Sequence, residues 1–224
     1  MLTLAFVTGT EPGKWFHRFR QRTEHGGLLT LDSDDALGLV LDGSADLALA
    51  RLPDARLTED FHTVRLYEEA RGVAVPKDSI FAELGEKVLA RDLEGEILNY
   101  RIAEDGSIDY GELRAALQVV GANVGIAIAP RPLIRVLSKK QVVALELVDR
   151  SVPGTEIALV WRREADSDAI QDFVGIARGR TTNSSRQAAP KRSAREKTLA
   201  KQERRGRPNF RIDKSGGKGR RRSR

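Results

Sequence analysis

The fold is decided by residues 2–52, LTLAFVTGTEPGKWFHRFRQRTEHGGLLTLDSDDALGLVLDGSADLALARL. This stretch contains three apolar runs of strand length, at residues 2–7, 28–31 and 47–50, and a helical pattern separates each run from the next. Strands that alternate with helices predict a parallel sheet with right-handed crossovers. Ligands bind to such sheets beyond the carboxyl ends of the strands, which here follow residues 7, 31 and 50.

Two helices are predicted between these three strands. In the first, Phe16 and Phe19 lie at helical spacing on one apolar face. In the second, Asp32, Ser33 and Asp34 offer an N-cap and negative charge at the helix start, and Gly43 is suited to a left-handed conformation at the C-terminus. Both helices therefore have an apolar side that can cover the predicted sheet.

The composition predicts a water-soluble protein with a substantial core. Hydrophobic residues make up 40% of the 224 residues, and cysteine is absent, which excludes disulfides and thiolate metal sites. No apolar run approaches the roughly 20 residues that a membrane helix needs, and the first residues do not resemble a signal peptide. We therefore expect a cytoplasmic protein that does not bind membranes.

The charge divides the chain into an acidic part and a basic tail. Residues 178–224 contain 18 Lys and Arg and three acidic residues, a net charge of +15, whereas residues 1–177 have a net charge of −9. The tail has few large apolar residues, so we expect it to be disordered and to bind nucleic-acid phosphates without sequence specificity. Alternatively, it is a solubilising segment or folds back on the acidic part. The residues predicted to contact nucleic acid are Lys191, Arg192, Arg195, Arg204, Arg205, Arg207, Arg220, Arg221 and Arg222.

No motif in the chain predicts catalysis. The three histidines, His17, His25 and His62, have no metal-binding spacing and no adjacent nucleophile. Residues 9–14 resemble a phosphate-binding loop but have three residues rather than four between the glycines, and no Ser or Thr follows the lysine. We therefore expect a protein that is not an enzyme and that needs no cofactor or metal.

Four segments carry a resemblance to a known family. They are DLALA at 46–50, GVAVP at 72–76, VGANVGIAIAP at 120–130, and LVWRR at 159–163, which a Ser-initiated helix follows. In this order, over about residues 2–177, they resemble the effector-binding (substrate-binding) domain of LysR-type transcriptional regulators. The resemblance starts at about residue 2, so we expect this chain to lack the winged helix-turn-helix that precedes the domain in that family.

The resemblance implies an α/β fold with two lobes, of the type 2 periplasmic-binding-protein class, in residues 1–177. Lobe one would comprise about residues 1–76 and 155–177, and lobe two about residues 77–154. The segment 100–109 is short compared with the family, so we expect a shortened second lobe. The resemblance also implies that two copies can form a homodimer.

The resemblance and the strand ends together predict where a small, anionic effector binds. At the mouth of the cleft, the Arg51 guanidinium could hold a carboxylate bidentately. Asn123 also follows a helix at a position that favours positive φ. The hypothesis is an effector-sensing transcriptional regulator whose tail contacts nucleic acid. The alternative is an α/β scaffold that senses no ligand and binds DNA, RNA or ribonucleoprotein through its tail. The predicted ligand-binding residues are Thr8, Thr10, Ser33, Arg51, Asn99, Tyr100 and Asn123.

Overall fold

The computed structural model describes residues 1–25, 27–85 and 87–179, which form nine strands and six α-helices. The strands are β1 (Leu2–Val7), β2 (Leu28–Ser33), β3 (Leu47–Leu52), β4 (Phe61–Glu68), β5 (Arg71–Val75), β6 (Leu98–Arg101), β7 (Ile126–Pro130), β8 (Val143–Glu146) and β9 (Glu156–Arg162). The helices are α1 (Gly13–Arg22), α2 (Ala36–Leu41), α3 (Ile80–Leu84), α4 (Tyr110–Gly121), α5 (Arg131–Leu137) and α6 (Asp168–Ala177). Among these helices, none has both the length and the apolar character needed to cross a membrane.

The first sheet has the strand order β2-β1-β3-β9-β4. Strand β1 pairs in parallel with both β2 and β3, which confirms the parallel sheet predicted from residues 2–52. Strand β9 runs antiparallel between β3 and β4, so the last strand of the described residues returns to the sheet that the first strands begin. Together with α1, α2 and α6, this sheet forms lobe one.

The second sheet has the strand order β6-β7-β5-β8 and, with α3, α4 and α5, forms lobe two. Strand β5 pairs antiparallel with β7 and β8 and therefore belongs to the sheet of lobe two. The predicted boundary after residue 76 had assigned this strand to lobe one. The chain therefore crosses between the lobes one strand earlier than expected. The physical reason is that Val73, Ala74 and Val75 are fully buried, and such an apolar run fits the centre of either sheet.

Each lobe has its own apolar core. In lobe one, Phe19 of α1 and Phe173 of α6 pack with ring centroids 5.7 Å apart, which joins the two helices. In lobe two, Leu113, Leu117 and Val120 of α4 are buried in one core cluster with residues of the second sheet. Burial of these helical faces stabilises both sheets and holds the ends of their strands in place.

Helix α2 begins later than the sequence predicts. The residue that caps it is Asp35, whose Oδ1 accepts the N–H of Gly38 at 2.9 Å. Ser33, one of the predicted cap residues, is the last residue of β2, and its Oγ accepts the N–H of Asp35 at 3.0 Å. The predicted cap at residues 32–34 is therefore wrong by at least one residue, because serine and aspartate are equally good N-caps and the sequence does not rank them.

The C-terminal segment is described only as far as Gly179. The nine basic residues predicted to contact nucleic acid, and the predicted disorder, lie outside the described residues.

Candidate functional site

A cleft of about 560 Å³ opens beyond the carboxyl ends of β1 and β3, between lobe one and residues 105–110 of lobe two. It lies at the edge of the sheet where the strand pattern predicts that ligands bind. Its lining combines an apolar floor with charged side chains, as small-molecule sites commonly do. The lining residues are Val7, Asp34, Asp35, Ala36, Leu37, Ala50, Arg51, Pro53, Asp54, Ala55, Arg56, Asp105, Gly106, Ser107, Ile108 and Tyr110.

Arg51 lines the cleft, and its guanidinium donates hydrogen bonds to several groups of the chain. Its side chain is 6% exposed, and its Nε and Nη2 donate to the two carboxylate oxygens of Glu69 at 2.6 and 3.0 Å. Nη2 also donates to the carbonyl of Thr8 at 3.1 Å. Burial disfavours the charge of Arg51, but the hydrogen bonds and the charge of Glu69 outweigh it and raise the pKa of Arg51.

Glu69 lies on the chain segment that joins the two sheets. Its side chain is 1% exposed, and its carboxylate also accepts a hydrogen bond from Oγ1 of Thr155 at 2.8 Å. Thr155 lies on the second connection between the lobes, immediately before β9. The Glu69 carboxylate therefore links both connections between the lobes, through residues 69 and 155, to Arg51 of strand β3.

Tyr110 connects this buried pair to lobe two. It is the first residue of α4, and its hydroxyl is hydrogen-bonded to Nη1 of Arg51. Asp109 positions it by capping the helix, with Oδ1 accepting the N–H of Glu112 at 2.8 Å. Burial raises the pKa of Tyr110, so the hydroxyl remains protonated at neutral pH.

Two further contacts bridge the lobes around the cleft. Arg114 of α4 forms an ion pair with Asp34, with Nη1 of the arginine 2.7 Å from Oδ2 of the aspartate. The hydrogen bond from Arg114 holds the pKa of Asp34 below its usual value. Gly106 has a φ of +80°, and a Cβ at this position would lie 2.7 Å from Cδ of Pro53. A side chain at residue 106 would therefore push the two lobes apart.

Arg56 lies at the cleft mouth between two carboxylates. It donates to Asp35 from Nη1 at 2.7 Å and from Nη2 at 2.8 Å, and to Asp54 from Nε at 2.9 Å and from Nη2 at 2.6 Å. These hydrogen bonds lower the pKa of Asp35, and both aspartates raise the pKa of Arg56. The outer rim of the cleft is therefore a small ion-pair network.

The structure brings one of the seven predicted ligand residues into the lining of the cleft, and three others are hydrogen-bonded to lining residues. Arg51 is the only one of the seven among the described lining residues. Thr8 and Ser33 are hydrogen-bonded to two aspartates of the lining. The Thr8 hydroxyl donates to Asp34 at 2.8 Å, and the Ser33 hydroxyl accepts from the backbone of Asp35.

The other four predicted residues do not line the cleft, although Thr10 is hydrogen-bonded to Val7, which does. The Thr10 hydroxyl donates to the carbonyl of the last residue of β1 at 2.7 Å. Asn99 donates to the carbonyl of Val124 at 2.8 Å and so ties β6 to the start of β7. The Tyr100 hydroxyl accepts the N–H of the residue that caps α4, at 3.1 Å. Asn123 has the positive φ predicted for it, 69°, just beyond α4.

Sequence reasoning missed Glu69, Tyr110 and the Asp34–Arg114 pair. No local signal identifies Glu69, because a lone glutamate after an edge strand normally lies in solvent. Tyr110 follows a recognisable N-cap, but its partner is 59 residues away in the chain. No group of three or more His, Asp or Glu side chains in the described part of the chain could hold a metal ion.

Comparisons with known proteins show which family this chain is similar to. The family model described as "LysR substrate binding domain" matches residues 14–101 and 97–182. No curated protein matches the chain. The solved structures described below are all less than 25% identical to this chain in sequence, and these likenesses therefore concern the fold.

Three solved structures illustrate the likeness, and each alignment covers 79% of this chain. A LysR family regulator of Pseudomonas aeruginosa has 19% identity and a TM-score of 0.60 over 70% of its chain. Reduced OxyR of N. meningitidis has 16% identity and a TM-score of 0.55 over 92% of its chain. The regulatory domain of MetR of N. meningitidis has 20% identity and a TM-score of 0.51 over 92% of its chain.

Proposed function

This chain belongs to the LysR substrate-binding domain family, and on that premise we propose that its cleft binds a small organic effector and thereby regulates transcription. The observation that carries the proposal is the 560 Å³ cleft at the carboxyl ends of β1 and β3, which residues 105–110 of lobe two close from the other side. Its volume falls in the range of about 300–1,000 Å³ found for small-molecule sites.

An effector in this position would touch both lobes at once. Lobe one contributes Arg51 and the rim aspartates, and lobe two contributes Ser107 and Tyr110. A ligand shifts a conformational equilibrium only by its difference in affinity for the two states. Because the cleft is shared between lobes, its occupancy would change the free energy of the closed arrangement relative to an open one. This supplies a physical route from binding to regulation.

The basic segment 178–224 has a separate role in the proposal. Its net charge of +15 favours contact with nucleic-acid phosphates through counterion release. Such contacts give affinity and strong salt dependence but little sequence specificity. The alternative, a scaffold that senses no ligand and binds nucleic acid only through this segment, differs in having no effector in the cleft.

A thermal-shift screen of small metabolites on the full chain tests the effector site. A ligand at about 100 times its Kd should raise Tm by about 5 °C or more. Ala55 is an exposed lining residue, so Ala55→Trp should fill the cleft mouth and abolish the shift. Ala122, an exposed residue after α4, supplies the control Ala122→Trp. If no metabolite gives a shift that Ala55→Trp removes, the scaffold alternative is favoured.

Gel shifts at several salt concentrations test the basic segment. The variant replaces Arg204, Arg205, Arg207, Arg220, Arg221 and Arg222 by Gln in the full chain. Removing six phosphate contacts should reduce the slope of log K against log salt by up to about five. Unchanged affinity and slope would show that nucleic-acid contact, if any, comes from another part of the chain.

A further inference from the structure

The arginines of the cleft have little capacity left for a ligand. A guanidinium has five N–H donors. Arg51 uses four of them, on Glu69, the carbonyl of Thr8 and the hydroxyl of Tyr110. Arg56 also uses four, all on carboxylate oxygens of the rim. Neither side chain therefore offers the free pair of donors that bidentate recognition of a carboxylate or phosphate requires.

The charge of the lining is negative. The lining contains four aspartates and two arginines, a formal charge of −2. The partners just outside the lining, Glu69 and Arg114, contribute opposite charges and leave this balance unchanged. Asp105 forms no ion pair with any described residue, is fully exposed, and accepts a hydrogen bond from the backbone of Ser107 at 2.8 Å.

An anionic ligand would have to compete with carboxylates already in place. To reach Arg51 it would displace Glu69, whose side chain is 1% exposed, and leave that charge buried without a partner. To reach Arg56 it would displace Asp35 or Asp54 and face the repulsion of the other. A cation meets neither obstacle, because the net charge of the lining is negative.

The apolar floor adds a second requirement. It presents aliphatic surface beside the charged rim, and such surface favours the alkyl part of a ligand over bulk water. The aliphatic lining residues are Val7, Ala36, Leu37, Ala50, Pro53, Ala55 and Ile108, of which Pro53 and Ala55 are exposed and Ile108 is half-buried. A ligand that fits the cleft therefore combines a short aliphatic body with positive charge.

We infer that the effector of this cleft is an organic cation, an alkyl ammonium or guanidinium compound, with Asp105 as its unpaired counter-ion. This inference rests on the proposed function, and it replaces the anionic effector that the sequence predicted. The rim aspartates add long-range attraction, and the arginines serve as internal cations that hold the carboxylates in place.

Titration calorimetry on the full chain tests the sign of the ligand charge. The probes are agmatine, which carries a guanidinium and an ammonium on a four-carbon chain, and adipate and 1,6-hexanediol as anionic and neutral compounds of similar length. We expect agmatine to bind more tightly than either, and Ala55→Trp to abolish its binding. Raising the salt concentration should weaken agmatine binding, because screening reduces attraction between exposed charges.

Asp105→Asn identifies the counter-ion, and the chain offers a matched control. Asp149 is half-buried, and its carboxylate also accepts the N–H of the serine two residues later, at 2.8 Å, but it does not line the cleft. Loss of one exposed charge near the ligand should weaken agmatine binding roughly three- to tenfold in Asp105→Asn. Asp149→Asn should bind agmatine as tightly as the unmodified chain.

The possible results separate this inference from the proposed function. Binding of adipate that Ala55→Trp abolishes, without binding of agmatine, would overturn the cationic ligand and keep the effector cleft. Agmatine binding that is equal in Asp105→Asn and Asp149→Asn would overturn the role of Asp105. If agmatine, adipate and hexanediol all fail to bind, the inference is overturned, and the metabolite screen with Ala55→Trp then decides the proposed function independently.

Discussion

Replacing Glu69 by glutamine should cost far more stability than the removal of an exposed ion pair. Both partners of the Arg51–Glu69 pair are buried, with side-chain exposures of 6% and 1%. Glu69→Gln keeps the size of the side chain but removes the negative charge and one of its two acceptor oxygens. Arg51 would then be a buried cation whose charge no adjacent carboxylate neutralises.

The expected loss follows from this geometry. Removing one partner of a buried ion pair costs about 3–5 kcal/mol, because the remaining charge stays desolvated. The Glu69 carboxylate also accepts from Thr155, so part of that hydrogen bonding is lost as well. A domain has only about 5–15 kcal/mol of stability in total. Glu69→Gln should therefore remove a large share of the free energy of unfolding.

Urea denaturation measures this loss as a change in the free energy of unfolding. The control is Arg65→Gln, which removes an ion pair to Glu156 whose arginine is 74% exposed and 3.3 Å from its partner. An exposed pair contributes about 0–1 kcal/mol. If Glu69→Gln costs no more than Arg65→Gln, the buried pair does not hold the two chain crossings as we infer.

Three further substitutions test other parts of the structure by urea denaturation. The Arg114 hydrogen bond lowers the pKa of Asp34, so this carboxylate stabilises the fold above its unfolded pKa of 3.8 and the contribution is lost as the pH falls further. Asp34→Asn should therefore be less stable than the unmodified chain at pH 6, and a difference that persists at pH 2 would contradict this. Gly106→Ala should cost about 1–3 kcal/mol more than Gly95→Ala, because both residues have positive φ but only Gly106 lacks space for a Cβ. Equal losses of stability in Gly106→Ala and Gly95→Ala would mean that a Cβ at residue 106 can be accommodated beside Pro53. Ser167→Ala should cost about 1 kcal/mol, since the Ser167 hydroxyl caps α6, and a neutral result would show that this cap is dispensable.

Local patterns in the sequence were sufficient for much of the architecture. The apolar run Leu2–Val7 and the helical spacing of Phe16 and Phe19 predicted the β1–α1 unit, and the structure confirms it. Asn123 was predicted to have positive φ from its place after a helix, and its φ is 69°. These features depend on residues close together in the chain, so their physical cause is visible in the sequence.

The placement of β5 and the composition of the cleft were not predictable in this way. Residues 72–75 would be buried in either lobe, so only the pairing of β5 with β7 and β8 decides their sheet. Arg51 was recognised as a residue of the cleft, but its role was expected to be contact with a free carboxylate. In the structure, a carboxylate of the chain itself already occupies that position.

The sequence by itself therefore determined the order of strands and helices, the parallel start of the first sheet and the edge at which the cleft opens. Hydrophobic periodicity and backbone preference, which act over a few residues, are the reason. Only the tertiary structure decided that Arg51 pairs with Glu69, that Tyr110 and Arg114 reach across from lobe two, and that the cleft has a net negative lining. These contacts join residues 18 to 80 positions apart, and burial and electrostatic pairing between such residues exist only once the chain has folded.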